Sequence, residues 1–153
     1  MRLSAEPNSA MMGAASLSTG YGTAASSGAP VEISARSVAG LRSMRHELER
    51  TMTSARWLRS EIADAQLVLA ELATNAFTHD GAPEFSAVVT CSNRQLEITT
   101  FHRGRVLPPS PPVPPADDGT PGGRGLIIVD QIVSERLVSN RAGTTSTYVR
   151  LTR

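Results

Sequence analysis

Hydrophobic residues recur at three- and four-residue steps in two stretches of the chain, and this spacing predicts two amphipathic helices. The first stretch covers residues 37–52 and the second covers residues 62–77. The positions that define the two faces are Val38, Leu41, Met44, Leu48 and Met52, and then Ala65, Leu69, Leu72 and Ala76. Trp57 lies in the connection between the helices, which indicates that this connection packs against the protein.

Later stretches of alternating or β-branched residues predict strands. The predicted strands are residues 31–33, 85–91, 95–101, 135–139 and 146–151. A turn at residues 92–94 makes the second and third strands a hairpin, and residues 140–144 turn between the last two. The apolar segment at residues 126–133 predicts a third, short helix.

Length and charge limit the class of protein. A chain of 153 residues is large enough for one domain with its own core. Fifteen basic and 14 acidic residues leave a net charge of +1, so we expect no electrostatic attraction to nucleic acid or to a membrane surface. The single cysteine, Cys91, rules out an internal disulfide framework, and no apolar run approaches the roughly 20 residues that span a bilayer.

Residues 1–30 are rich in Ser, Ala and Gly and predict a disordered N-terminal tail, or a start codon placed too early, with Met11 and Met12 as candidates. Because no continuous apolar stretch of a signal peptide is present, the expected compartment is the cytoplasm. Residues 106–122 are rich in Pro and Gly and predict a long loop, which in a compact domain is usually a functional lid or a disordered segment.

The second helix carries a polar stripe beside its apolar face. Glu71, Asn75 and His79 are four residues apart, so they lie on one side of the helix. An amphipathic helix with polar residues facing water explains this stripe taken alone. A carboxylate and an amide one turn apart also suit a hard cation with its phosphate ligand, and the carboxylate can orient a nucleophile.

Gly123 and Gly125 open the third helix, where glycine lets the backbone approach a phosphate and free amides face it. The motif is not a Rossmann fingerprint, because Leu126 and the residues after it replace the third glycine and a loop precedes it. It is not a P-loop either, because the chain contains no lysine.

The combination of these motifs, in this order, resembles the GHKL (Bergerat-fold) ATPase superfamily, and within it the anti-sigma-factor serine kinases and the small actinobacterial histidine kinase-like ATP-binding proteins. The stretch from Glu71 to His79 is similar to the N box of the family. Residues 123–129 are similar to its glycine box, and Gly143 with Thr144 corresponds to the last, less distinctive glycine box. The resemblance covers roughly residues 31–153.

The resemblance implies a fold: an α/β (α+β) two-layer sandwich with an antiparallel or mixed sheet, helices on one face, and the nucleotide between the helices and a lid at residues 106–122. It implies ATP and Mg²⁺ as cofactors. Asn75 would hold the magnesium, and Glu71 would orient or deprotonate the attacking serine hydroxyl. The nucleotide-binding residues that it implies are Asn75, His79, Thr100, Gly123, Arg124, Gly125, Leu126 and Thr144.

One departure from the family concerns adenine. The family places an aspartate, followed by glycines, at the end of the strand before the lid, where the carboxylate accepts a hydrogen bond from the adenine amino group. Here no acidic residue follows Glu97 in that strand, and Thr100 is the expected occupant of the position. A neutral acceptor is weaker than an ionised one, so low ATP affinity, relaxed adenine selectivity and loss of nucleotide binding all stay open.

The resemblance implies an ATP-dependent protein-serine/threonine kinase that acts as an anti-sigma factor in transcriptional regulation. Its partners would be a sigma factor or an antagonist protein, without direct contact to nucleic acid or membrane. Homodimers are common in the resembled family, so a homodimer is one assembly to test. Two alternatives are a protein-binding regulatory module that has lost productive nucleotide binding, and a simple ATPase.

Overall fold

The computed structural model describes residues 28–104 and 124–153. The predicted lid and most of the predicted N-terminal tail lie outside these ranges, as does Gly123. The expectations for them therefore stay predictions.

Five strands and three α-helices make up the described chain. In chain order they are β1 (Val31–Ala35), α1 (Leu41–Ser54), α2 (Arg59–Thr78), β2 (Phe85–Cys91), β3 (Gln95–Arg103), α3 (Arg124–Ile132), β4 (Glu135–Arg141) and β5 (Thr144–Thr152). Every predicted element is present, and the differences lie at the ends. Of these, the extension of β3 to Arg103 matters most, because it places His102 in the sheet.

All strand pairs are antiparallel, in the order β1-β2-β3-β5-β4, which settles the choice between a mixed and an antiparallel sheet. The central strand β3 pairs with β2 on one side and with β5 on the other. His102 near the end of β3 therefore lies opposite Phe85 of β2 and Thr145 of β5. Two steps back along the strand, Thr100 lies opposite Thr147.

The helices cover one face of the sheet and enclose a single hydrophobic core. On β3 the buried residues alternate, so Leu96, Ile98, Thr100 and His102 share the helix-facing side. The predicted faces of α1 and α2 supply the opposite wall, with Met52, Leu69 and Ala76 fully buried. Burying one large apolar side chain is worth about 1.5–3 kcal/mol, so this core holds α2 firmly against the sheet.

The predicted start of α1, at residue 37, was too early. Residues 38–40 form a short 3-10 turn, and α1 itself begins at Leu41. Val38 is 55% exposed, so the first residue of the predicted apolar face is not part of the core.

The connection between α1 and α2 packs as predicted. Trp57 is buried, and its indole Nε1–H donates a hydrogen bond of 2.6 Å to the Ser92 carbonyl in the β2–β3 turn. The guanidinium of Arg153 lies over the Trp57 ring, 5.5 Å from its centroid. Glu61 accepts a 2.7 Å hydrogen bond from the Leu58 backbone N–H, which caps α2 and starts the helix earlier than predicted.

The second hairpin depends on a tight turn. Ala142 and Gly143 both have positive φ, 50° and 78°, the conformation that a two-residue turn between twisted strands requires. This short turn lengthens β4 and β5 beyond the predicted ends.

Within residues 28–104 and 124–153, no helix is long and apolar enough to cross a membrane.

Candidate functional site

The polar stripe of α2 divides along its length. Glu71 and Asn75 are half-buried, whereas His79 is exposed and lies where the helix ends. The Asn75 carbonyl accepts hydrogen bonds from the backbone N–H groups of His79 and Asp80, at 2.9 and 3.2 Å. Because two of the three side chains are withdrawn from solvent, a purely water-facing stripe does not describe this helix.

Glu71 lies against the first turn of α3. A Cβ atom added to Gly125 would come 3.2 Å from the Glu71 Cδ atom and closer still to its Oε2. Only glycine fits there without moving the carboxylate. In the folded protein the Glu71 carboxylate therefore lies against the backbone of Gly125. The two sequence motifs that predicted phosphate chemistry meet here, and we call this place the Glu71–Gly125 locus.

The neighbours of Gly125 face outward. Arg124 is exposed and Leu126 is 39% exposed, so neither side chain is part of the core. Both lie in the first turn of α3, where backbone amides without a helical partner can meet an anion. Their predicted contact with nucleotide stays a prediction.

Thr100 is enclosed in the protein. It is 1% exposed, and its hydroxyl donates a 3.3 Å hydrogen bond to the Thr147 carbonyl on β5. This hydrogen bond links β3 to β5. Because the hydroxyl hydrogen is used in it, the Thr100 oxygen could contact a nucleobase only as an acceptor.

His102 was not among the predicted site residues, and the structure places it beside them. It shares the helix-facing side of β3 with Thr100, and its side chain is 7% exposed. Its Nε2 atom lies 2.7 Å from the Asp80 Oδ2 atom, and its ring stacks on Phe85 with 6.4 Å between the ring centroids. The alternation of β3 gave a signal for this position, because one further step of two residues beyond Thr100 places His102 on the same face.

Gly104 also explains how α2 and β3 meet. A Cβ atom on Gly104 would lie 2.7 Å from the Asp80 Cβ and 3.2 Å from the Asp80 carbonyl oxygen. Glycine therefore permits the close approach of the two backbones. As a result, Asp80 lies directly beside the end of β3 and within reach of His102.

The two threonines after Gly143 lie on opposite sheet faces. Thr144 pairs with Arg103 on the side away from the helices, whereas Thr145 pairs with His102 on the helix-facing side. The Asn140 side-chain amide donates a 2.9 Å hydrogen bond to the Thr145 hydroxyl. Thr144 was the predicted nucleotide contact, and the register shows that Thr145 is the threonine on the same face as His102.

The donors present fit a magnesium ion bound mainly by phosphate. In the part of the chain that the structure describes, no group of three or more His, Cys, Asp or Glu side chains could hold a metal ion. Mg²⁺ commonly takes only one or two protein oxygens and completes its octahedron with phosphate oxygens and water. Asn75 can supply one such amide oxygen.

A wide groove lies elsewhere on the molecule. It has a volume of about 1160 Å³ and lies between α1 and α2, with Arg42, Arg45, His46, Gln66 and Thr74 in its lining. Neither Glu71 nor Asn75 nor Gly125 contributes to it. The groove is therefore separate from the Glu71–Gly125 locus.

Comparisons with known proteins agree with this architecture. The family model of the histidine kinase-like ATPase domain matches residues 33–153. Among solved structures, the chain is similar to the RsbU and RsbW domains of Rv1364c from Mycobacterium tuberculosis, with a TM-score of 0.59 and 17% identity. That match covers 81% of this chain and 32% of the other, so it spans about a third of the chain in that structure. None of the curated proteins matches it. Since the family model covers most of the sequence and the five-stranded, one-sided sandwich agrees with it, the chain belongs to the histidine kinase-like ATPase family.

Proposed function

We propose that this protein is an ATP- and Mg²⁺-dependent protein-serine kinase that acts as an anti-sigma factor or in a similar regulatory switch. The observation that carries the proposal is the contact between the Glu71 carboxylate and the Gly125 backbone. It places a carboxylate that can act as a general base beside the N-terminus of α3, and helix N-termini readily bind phosphate. The protein substrate would be a serine on a small antagonist protein, and the binding target would be a sigma factor.

Each residue of the locus has a distinct part in this chemistry. ATP, as co-substrate, supplies the phosphoryl group. The Glu71 carboxylate would orient the serine hydroxyl and accept its proton, and the amides around Gly125 would bind phosphate oxygens. Asn75, one helical turn from Glu71, would hold the magnesium. Phosphoryl transfer depends mainly on positioning and charge neutralisation, which this set of groups can provide.

The similarity to an RsbW domain supports the regulatory part of the proposal through the shared fold. The near-neutral charge supports a protein partner rather than a nucleic acid. A homodimer, common in the resembled family, is the assembly we propose for the active form, and the cytoplasm is the proposed compartment.

Calorimetric titration with ATP, with and without Mg²⁺, tests the proposal first. We expect binding that magnesium strengthens, and no binding at millimolar ATP would refute the kinase. Glu71→Gln should keep ATP binding but lose label transfer from γ-labelled ATP to a co-purified protein. Glu49→Gln, an exposed carboxylate on α1, is the matched control and should keep both.

A second candidate function is a protein-binding regulatory module without kinase activity. It is favoured by the helix-facing end of β3, which carries Thr100 and His102 and no carboxylate. This candidate predicts that Glu71→Gln leaves partner binding and the regulatory effect unchanged. Label released only as free phosphate would instead indicate a simple ATPase.

A further inference from the structure

The strand β4 forms one edge of the five-stranded sheet. Within the described residues it pairs with β5 alone, so one row of its backbone N–H and C=O groups has no strand beside it. Residues 137–141 of this strand are all exposed. An exposed edge strand is a surface on which the strand of another molecule can pair.

The tight turn between β4 and β5 determines which backbone groups point to this edge. Arg141 and Thr144 flank the two-residue turn at 142–143, and in such a turn the two flanking residues are joined by backbone hydrogen bonds. Hydrogen-bonded and non-hydrogen-bonded pairs alternate along an antiparallel ladder. Val138 is three residues from Arg141, so its N–H and C=O groups point away from β5 and towards the free edge.

The sequence of β4 is complementary to itself in antiparallel alignment. When two copies are aligned about Val138, Glu135 of each copy lies opposite Arg141 of the other, on the sheet face away from the helices. Opposite charges in directly opposed positions favour strand pairing, whereas like charges oppose it. Alignment about Leu137 would instead place Glu135 opposite Ser139 and leave Arg141 beyond the paired strand. The register about Val138 is therefore the complementary one.

Both charges are available at the edge. Arg141 is exposed, and none of the ion pairs among the described residues involves it. Glu135 binds Arg150 through its Oε2 atom, 3.0 Å from the Arg150 Nη1 atom, which leaves its Oε1 atom for a second cation. Within one chain Glu135 and Arg141 lie roughly 20 Å apart along an extended strand, so they cannot pair with each other.

Two exposed apolar side chains lie near the same edge. The Asp130 carboxylate of α3 accepts hydrogen bonds of 2.5 and 2.8 Å from the Arg136 guanidinium, which joins α3 to the helix-facing side of β4. Ile127 lies three residues before Asp130 on α3 and is 54% exposed. Val138 lies two residues after Arg136 on the same sheet face and is 55% exposed. A second copy paired along β4 would cover both side chains.

We propose that two copies of this protein associate through antiparallel pairing of their β4 strands, centred on Val138. The backbone groups of Val138 form hydrogen bonds across the two-fold axis, and Glu135 pairs with Arg141 of the second copy at both ends of the strand. This inference rests on the homodimer of the proposed function, to which it gives a contact surface, and it requires no nucleotide. One strand pair is a small interface, so we expect a dissociation constant of about micromolar order.

A charge exchange tests the register. Sedimentation equilibrium of the full-length protein without nucleotide should show monomer and dimer in exchange. Arg141→Glu places like charges opposite each other twice in the symmetric dimer, so it should weaken association at least about tenfold. Adding Glu135→Arg restores both pairs with their signs exchanged and should return the dissociation constant to within about threefold of wild type.

The matched control for these variants is Arg94→Glu. It makes the same change of charge in the exposed β2–β3 turn, away from β4, and should dimerise as the wild type does. Thermal unfolding of each variant shows whether it is folded, which matters most for Glu135→Arg because this change also removes the contact with Arg150.

A cysteine at the two-fold axis tests the same register independently. The Cα atoms of a hydrogen-bonded antiparallel pair are about 5.5 Å apart, a separation that a disulfide bridges. Val138→Cys, combined with Cys91→Ala to remove the only native thiol, should give a disulfide-linked dimer with oxidised glutathione. Asn140→Cys in the same background places its two thiols roughly 13 Å apart along the strand and should stay largely unlinked.

The results separate two failures. A protein that stays monomeric at millimolar concentration refutes both the homodimer and the β4 interface. If a dimer forms but Arg141→Glu leaves it unchanged, the folded double variant stays weak, or Val138→Cys does not link, the homodimer stands and the β4 interface is overturned. Nucleotide enters none of these measurements, so the kinase proposal is tested separately.

Discussion

The carboxylate of Glu71 on α2 lies against the backbone of Gly125 in the first turn of α3, in a space that leaves no room for a side chain at Gly125. This contact joins two segments that are separated in the sequence by the β2–β3 hairpin and by residues 105–123. It also gives a structural reason for the second glycine of the motif. The predictions below begin with this pair.

Gly125→Ala should displace the Glu71 carboxylate and lower label transfer from γ-labelled ATP by at least about tenfold, because a small misplacement of a catalytic group is costly in rate. Alanine in a helix is otherwise favoured over glycine by roughly 0.5–1 kcal/mol, so the clash should cancel the expected gain in stability. Adding Glu71→Ala removes the clash and should restore that gain. Denaturant unfolding of both single variants and the double variant measures the coupling, and additive effects on the free energy of unfolding would contradict the contact.

Thr100→Val should leave ATP affinity within about twofold of wild type, because the Thr100 hydroxyl already bonds to the Thr147 carbonyl inside the protein. The same change should cost about 1 kcal/mol of folding free energy through the lost hydrogen bond. ATP titration and urea unfolding provide the two measurements. A large loss of ATP binding in a variant with near-native stability would support the predicted contact of Thr100 with the base.

Trp57→Phe should lower the free energy of unfolding by about 2 kcal/mol, because it removes the hydrogen bond to the Ser92 carbonyl and part of a buried ring. The chain has one tryptophan, so unfolding must be followed by circular dichroism rather than by intrinsic fluorescence. ATP affinity serves as the control, since Trp57 lies in the α1–α2 connection away from Glu71. An unchanged midpoint of the unfolding transition would show that the α1–α2 connection does not stabilise the fold.

Burial raises the pKa of the Cys91 thiol from 9.0 to about 11 and outweighs a smaller lowering by the neighbouring Trp57 side chain. In the unfolded chain the thiol loses its proton near pH 9, whereas in the folded protein it keeps the proton to higher pH. Ionisation therefore favours the unfolded state, and stability should fall as pH rises from about 9 towards 11.

Urea unfolding across this pH range, compared with Cys91→Ala, isolates the contribution of the thiol. The difference in free energy of unfolding between wild type and Cys91→Ala is needed because the ionisation of Tyr148 affects both proteins. Burial and the hydrogen bond to Glu97 raise its pKa from 10.0 to about 12, so above pH 10 the ionisation of Tyr148 also favours the unfolded state and overlaps the upper part of this range. Parallel pH profiles for the two proteins would contradict the Cys91 assignment.

Much of the fold was predictable from local patterns. The apolar steps of α1 and α2 and the alternation in β2 and β3 gave their elements to within a few residues. The errors at the element ends have local causes. The early start of α2 follows from the Glu61 cap, and the long β4–β5 hairpin follows from the tight turn at Ala142 and Gly143.

The candidate site was predictable only in part. The four-residue spacing of Glu71 and Asn75 and the glycine motif indicated phosphate chemistry, because helical periodicity and backbone freedom are properties of the local sequence. The sequence did not show which side chains at the end of β3 lie beside α2. That depends on where the strand ends, on the faces that its alternation assigns, and on its approach to Asp80.

The sequence by itself determined the helices, the strands, the family motifs and the polar stripe, since each follows from spacing along the chain. Only the tertiary structure decided that Glu71 meets Gly125, that Asp80 pairs with His102, and that Thr145 rather than Thr144 shares the helix-facing side. The physical reason is that strand register and helix docking are set by burial of the whole core. A shift of one residue would move His102 to the opposite face, and no local pattern reports that choice.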